Sequence, residues 1–190
     1  MVKNLKTKSG FTIIEVVLVL AIAGLIFLMV FLALPALQRS QRDTQRRDDL
    51  ARFASQISQY ESNNRGKVPN PTVTPGIWAN SKETSQNTYD ESATVNTSGD
   101  WTTFLNNYMW ASNDTFTDPA GVNYAVQDHG TMADATDSLS IDKMDYLIHV
   151  WHGAICDTVE GQVAKSTSGG SRKLAFLYKL EGTGYYCGEV

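Results

Sequence analysis

From Phe11 to Leu37 the chain carries a single ionisable side chain, Glu15, among apolar and small residues. At about 1.5 Å per residue, such a run wound as a helix reaches about 40 Å, enough to cross a bilayer with tilt. A carboxylate near the start of a lipid-facing helix is costly, about 2.5–3.5 kcal/mol, which marks Glu15 as a functional group needing a partner. Beyond the apolar run the pattern changes. Leu50, Phe53, Ala54, Ile57 and Tyr60 recur at spacings of three and four, which predicts an amphipathic continuation of the helix over 38–65 whose apolar stripe lies against a head. Asn63-Asn64-Arg65-Gly66 supplies the stop, with a glycine cap. Gly24 and Pro35 interrupt the apolar part, and the missing donor and steric clash of Pro35 predict a kink or loosened turn over 31–35.

After the helix the periodicity is lost. Three prolines between Val68 and Gly76 rule out regular structure there by removing donors and biasing their predecessors to extended geometry. The Ser-, Thr- and Asn-rich stretch that follows extends this to a variable surface loop over 66–100. Trp101, Phe104, Leu105, Tyr108 and Met109 stand at helical spacing, a short helix capped by Asp100 whose aromatics belong to the core. Asp118-Pro119-Ala120-Gly121 is a turn leading into a strand over 122–127, and Gln127 to Asp142 reads as an acidic loop. Tyr146–Trp151, Leu174–Leu180 and Thr183–Cys187 are β-prone. Ser166 to Ser171, with Gly169-Gly170, would connect two of these strands. The expectation is an α+β fold: a long N-terminal α-helix, membrane-inserting in its first half, packed on a small antiparallel β-sheet head at 66–190.

With 190 residues, a chain that gives its first 65 or so to leader and helix leaves roughly 125 for one modest globular domain. The charge is uneven. Residues 64–190 hold fifteen acidic against eight basic side chains, so the head carries no electrostatic footprint for nucleic acid. Residues 1–10 contain Lys3, Lys6 and Lys8 and no acid, like the basic region of an export signal. The apolar run exceeds that of a secretory peptide, however, and no small-residue cleavage site closes it, so the helix should be retained. Arg39, Arg42, Arg46, Arg47 and Arg52 flank its far side more heavily than the lysines flank the near side, which leaves orientation ambiguous by charge alone. Asp43, Asp48 and Asp49 stand among those arginines as possible partners on a solvated face.

Candidate chemistry is sparse. His149, His152, Cys156 and Cys187 resemble metal ligands by type. Two histidines three apart on a strand face opposite ways, however, so no metal site is expected. Asp134, Asp137, Asp142 and Asp145 lack the alternation of a calcium loop. Asn96-Thr97-Ser98 and Asn113-Asp114-Thr115 match the glycosylation pattern. No nucleophile constellation or phosphate loop stands out, so neither an enzyme nor a cofactor is expected.

The joint between leader and helix, Gly10-Phe11-Thr12-Ile13-Ile14-Glu15, closely resembles the processing site of type IV prepilins, the family of pilins and of secretion and competence pseudopilins. The Asp118-Pro119-Ala120-Gly121 turn ahead of a tyrosine-bearing strand is also similar to many pilin-like heads. The resemblance implies cleavage after Gly10 by a membrane prepilin peptidase, methylation of the new amine of Phe11, and a role for Glu15 in assembly. It implies residues 1–10 as leader, 11–37 as membrane anchor and then filament core, and an N-terminus-in orientation with the head outside the cytoplasm. In that orientation Cys156 and Cys187 are exported, and a disulfide between them is expected. The implied function is a structural subunit of a type IV pilus serving adhesion, surface contact or motility, with identical subunits, the peptidase, the assembly machinery and membrane lipid as partners. A minor pilin or pseudopilin is the alternative within the family; a membrane-anchored enzyme or binding domain that never polymerises is the alternative from another class. Before cleavage the nitrogen of Phe11 is an amide, so Glu15 is expected to be unpaired or protonated until processing creates an ammonium for it to meet.

Overall fold

The computed structural model describes residues 10–70, 76–79, 95–96, 98–110, 116–131, 146–157, 163–165, 173–182 and 184–190. The leader before Gly10, the acidic loop with Asp134 to Asp145, the Asn113 to Thr115 sequon, Thr97 of the other sequon and the Gly169-Gly170 connection lie outside them. Two compact units divide the chain, one ending at Gln41 and one running from Arg42 to Val190.

Helix α1 spans Ile13–Asn63 and carries Pro35 internally without a break, so the irregularity expected over 31–35 is not an interruption of the helix. In the first unit no side chain between Phe11 and Leu37 is buried, and the run is long and apolar enough to cross a membrane by length and composition. The C-terminal stop is as expected: Arg65 and Gly66 adopt φ of 59° and 74°, and the Gly66 amide donates to the Glu61 carbonyl at 2.8 Å.

The second unit is an α+β head. Its part of α1 buries Leu50, Phe53, Ile57 and Tyr60, the stripe that the spacing predicts. Phe53 is the hub: its ring lies parallel to Trp101 and Phe116 at 6.2 and 6.0 Å and edge-on to Phe104 and Phe176 at 5.7 and 5.3 Å. These are the offset and T-shaped arrangements favoured by the ring quadrupole. Trp101 and Phe104 come from α2 (Asp100–Phe104), which widens into a π-turn over Leu105–Met109. The aromatics of that segment belong to the core or pack against it, as their spacing predicts. Gly99 rather than Asp100 holds the N-cap position, and no side chain caps the helix.

The sheet has six strands in the order β2-β1-β3-β4-β7-β8: β1 Gly76–Trp78, β2 Val95–Asn96, β3 Ala125–Thr131, β4 Leu147–His152, β7 Leu174–Lys179 and β8 Tyr185–Glu189. A separate hairpin joins β5 (Ala154–Cys156) to β6 (Val163–Lys165). Three expectations need correction. The variable region 66–100 supplies β1 and β2, because Ile77 and Trp78 are apolar enough to be buried in a strand of only three residues. The first strand of the C-terminal part is displaced and runs to Thr131, into what read as loop. The sheet is mixed rather than antiparallel throughout: β4, β7 and β8 are antiparallel as expected, but β3 pairs parallel to β4. A parallel pair requires a connection of about a dozen residues or more, and the long acidic segment between Thr131 and Leu147 provides that length.

Strand β4 is buried at all six positions because the sheet is covered on both faces. Ile148 and Val150 join the aromatic core with α1, whereas Trp151 packs with Ala154, Val163, Ala175 and Leu177. Cys187 of β8 sits against this second cluster and is bonded to Cys156 of β5, Cα–Cα 5.8 Å. In the chain-entropy description a loop of this span contributes about 3.7 kcal/mol.

Gly188, opposite Phe176 in the β7–β8 register, is where a side chain would do most damage: an added Cβ would overlap the Phe176 ring. Gly188→Ala is expected to destabilise the head by about 1–3 kcal/mol, read as a lowered urea midpoint. Gly184→Ala, with open space around its Cβ, should leave the midpoint almost unchanged.

Candidate functional site

The start of α1 is built by a capping box. Thr12 precedes the first helical residue, and its amide and hydroxyl both donate to the Glu15 Oε2, each at 2.8 Å. In return the Glu15 amide approaches the Thr12 hydroxyl oxygen at 3.4 Å. This is the reciprocal Thr-x-x-Glu arrangement that satisfies helix donors otherwise left bare. Glu15 is thus hydrogen-bonded within its own chain: Thr12 holds one carboxylate oxygen, supplying donors but no cation. Gly10 and Phe11 lie outside the helix, just ahead of the cap, and Phe11 is fully exposed.

In the head, the amphipathic part of α1 carries a buried charge. Arg46 is 4% exposed. Its Nε and Nη2 donate to the two carboxylate oxygens of Asp118 at 2.6 and 2.9 Å, its Nη1 to Asp43 at 3.0 Å, and its Nη2 also to Glu181 at 2.9 Å. Burial alone would lower the Arg46 pKa, but the hydrogen bonds and charge of Asp118, helped by Glu181 and Asp43, prevail and hold it above the ordinary range. Asp118 also accepts from the Tyr178 hydroxyl at 2.9 Å and the Ala120 amide at 2.8 Å. Burial, followed by the Asp118 charge, raises the Tyr178 pKa. Arg42 pairs with the same Glu181 at 2.5 Å, and the hydrogen bond from Arg42 is the main reason the Glu181 carboxyl is held down at about 2. Asp43 receives the Glu181 and Gly182 amides at 2.9 and 3.2 Å. One helical turn is thus fastened to the 118–121 turn, to β7 and to the turn after it.

All three histidines of the chain gather at the β3–β4 pair, one set on each face. On the face toward α1, His152 Nε2 lies 2.7 Å from Asp128 Oδ2, which also accepts from Trp101 Nε1 at 2.6 Å, and the Gly130 amide donates to Asp128 Oδ1 at 2.7 Å. On the opposite face His129 Nε2 meets His149 Nδ1 at 2.9 Å, and Trp151 stacks on His129 at 4.5 Å. His149 and His152 do point to opposite faces of β4, as the spacing requires, and among the described residues no group of three or more potential ligands gathers that could hold a metal.

The structure thus places Gly10, Phe11 and Glu15 together at the start of α1, Gly24 and Pro35 within the exposed apolar run, and Cys156 and Cys187 in a disulfide. The local pattern places Arg46 on a solvated face and Asp118 in a turn, and it gives Asp128 and Glu181 no distinguishing feature. Asp118 alone carried a local signal, since an Asp-Pro-x-Gly turn frees its carboxylate to accept bonds. The first unit thus holds an exposed apolar helix segment long enough to cross a membrane, and the second is a small α+β domain with the later part of α1 in its core. The chain matches no protein-family model, no curated protein and no solved structure.

Removing one partner from a buried ion pair strands the other. Arg46→Met is expected to cost roughly 3–5 kcal/mol, measured by urea unfolding of the detergent-solubilised chain. Adding Asp118→Asn, which removes the abandoned charge, should recover part of that loss; a double variant no more stable than Arg46→Met alone would deny the pairing its energetic role.

Proposed function

We propose that the chain is the structural subunit of a type IV pilus-like filament, processed after Gly10 and polymerised through the apolar half of α1. The observation that carries this reading is the conjunction at one helix end. A cleavable-looking Gly10-Phe11 joint lies just ahead of α1, a cap at the helix start holds Glu15, and the apolar surface that follows is buried by none of the described residues. Soluble proteins rarely expose apolar patches beyond a few hundred Å², so this helix needs lipid first and then other helices. The head is exported and the chain is a single-span membrane protein until assembly. Its partners are lipid, a prepilin peptidase, the assembly machinery and further copies of itself, and it performs no catalysis and needs no cofactor.

In this mechanism cleavage converts the Phe11 amide into an ammonium beside a carboxylate whose second oxygen is available. In the packed core of a filament an unpaired ion costs several kcal/mol, and pairing Glu15 with the Phe11 amine of a neighbouring copy removes that cost and fixes axial register.

Surface-exposed protein is expected to have the intact mass of residues 11–190, less two hydrogens for the disulfide and plus one methyl group. A mature form that retains Lys3 to Gly10 would sink the processing claim. Glu15→Gln should be exported and cleaved normally yet give few or no filaments by electron microscopy. Normal filament numbers would reduce Glu15 to its capping role, and the absence of filaments from wild-type cells would favour a non-polymerising anchored domain. Abundance in the filaments distinguishes a major from a minor subunit.

A further inference from the structure

The His129–His149 contact lies away from α1, on the other face of the sheet, and the filament reading makes no use of it. His149 is 3% exposed, and its Nε2 is buried without a partner among the described residues. The two imidazole planes differ by 22° with centroids 5.2 Å apart, so the rings meet nearly in plane and end to end, with room for one hydrogen between Nε2 of His129 and Nδ1 of His149. We propose that this pair is an acid-sensitive latch on the outer face of the β3–β4 pair, closed while one proton is shared between the facing nitrogens and opened by a second.

Among the described residues, none offers His149 compensation for a charge. From β3 it faces Gln127, its register partner, and His129; from β4, Trp151; from β7, Leu177 and Ala175; and from β8, the disulfide-bonded Cys187. Glu189 on that face is committed to the Cys156 amide at 3.0 Å, and Lys179, also there, is itself a cation. Asp128 and His152 are on the opposite face, bonded to one another. Two protonated rings would set two N–H groups against each other at 2.9 Å. Burial first, and the His129 charge second, push the His149 pKa down to about 3.

The sign follows from linkage. Once opened, His149 takes a proton at about its ordinary 6.5, whereas the closed state refuses it down to about 3. Closure is therefore complete above that ordinary value, and the open-to-closed ratio rises about tenfold per pH unit as pH falls through the window.

The test is hydrogen exchange by mass spectrometry on the full chain in detergent micelles between pH 7 and pH 4, normalised for intrinsic exchange. Peptides covering Ala125–Thr131 and Leu147–His152 should lose protection on acidification ahead of Tyr185–Glu189. His149→Leu, and His149→Gln should the leucine variant not fold, should flatten that response. An unchanged wild-type protection profile down to pH 4, or a non-titrating variant that opens as the wild type does, would overturn the proposal.

Discussion

The head rests on one desolvated cation. A guanidinium taken out of water costs several kcal/mol unless its hydrogens meet acceptors in good geometry. Arg46 meets that demand with three carboxylates drawn from separate segments: Asp43 one turn earlier on α1, Asp118 from the turn ahead of β3, and Glu181 from the turn after β7. The requirement is collective. A segment that moves away leaves the others with an unbalanced charge, so the helix, the 118–121 turn and the far end of β7 hold position together or not at all. Tyr178 and the Ala120 amide occupy further lone pairs of Asp118, which makes this a satisfied network rather than an isolated pair.

Around that fixed point the packing is divided by the sheet. The α1 side is aromatic and dry, centred on Phe53, and the only acid of β3, Asp128, is there matched by His152 and Trp101. The other side is thinner, built from Trp151, small aliphatics and the disulfide. Strand β4 separates the two, and so the same six residues carry both an apolar core and two histidines with different neighbours.

What the sequence reveals and what it hides divide along contact distance. The apolar run, the Leu50 to Tyr60 stripe and the Asn63 to Gly66 stop depend on residues within a few positions of each other, and periodicity displays them directly. The burial of Arg46 depends on Asp118 and Glu181, far along the chain, and an arginine among aspartates has the same local pattern whether its face is wet or dry. The spacing of His149 and His152 correctly separates them to two faces. It holds no trace of His129 and Asp128, because those arrive on β3 through a parallel pairing that no short-range rule specifies. Strand β1 leaves no mark on the pattern because three residues between prolines and polar sequence are too few to show alternation, yet Ile77 and Trp78 are buried.

The capping box also decides where regular structure begins. By occupying the position before Ile13, Thr12 stops the helix from growing backwards, and the peptide bond between Gly10 and Phe11 is left in non-helical backbone. Peptidases bind their substrates extended, and a bond wound into a helix must first be unwound. A hydroxyl two residues downstream thus keeps that bond outside the helix, so that one threonine both secures the carboxylate that follows it and, under the proposed processing, leaves the bond that precedes it in the backbone form a peptidase takes up.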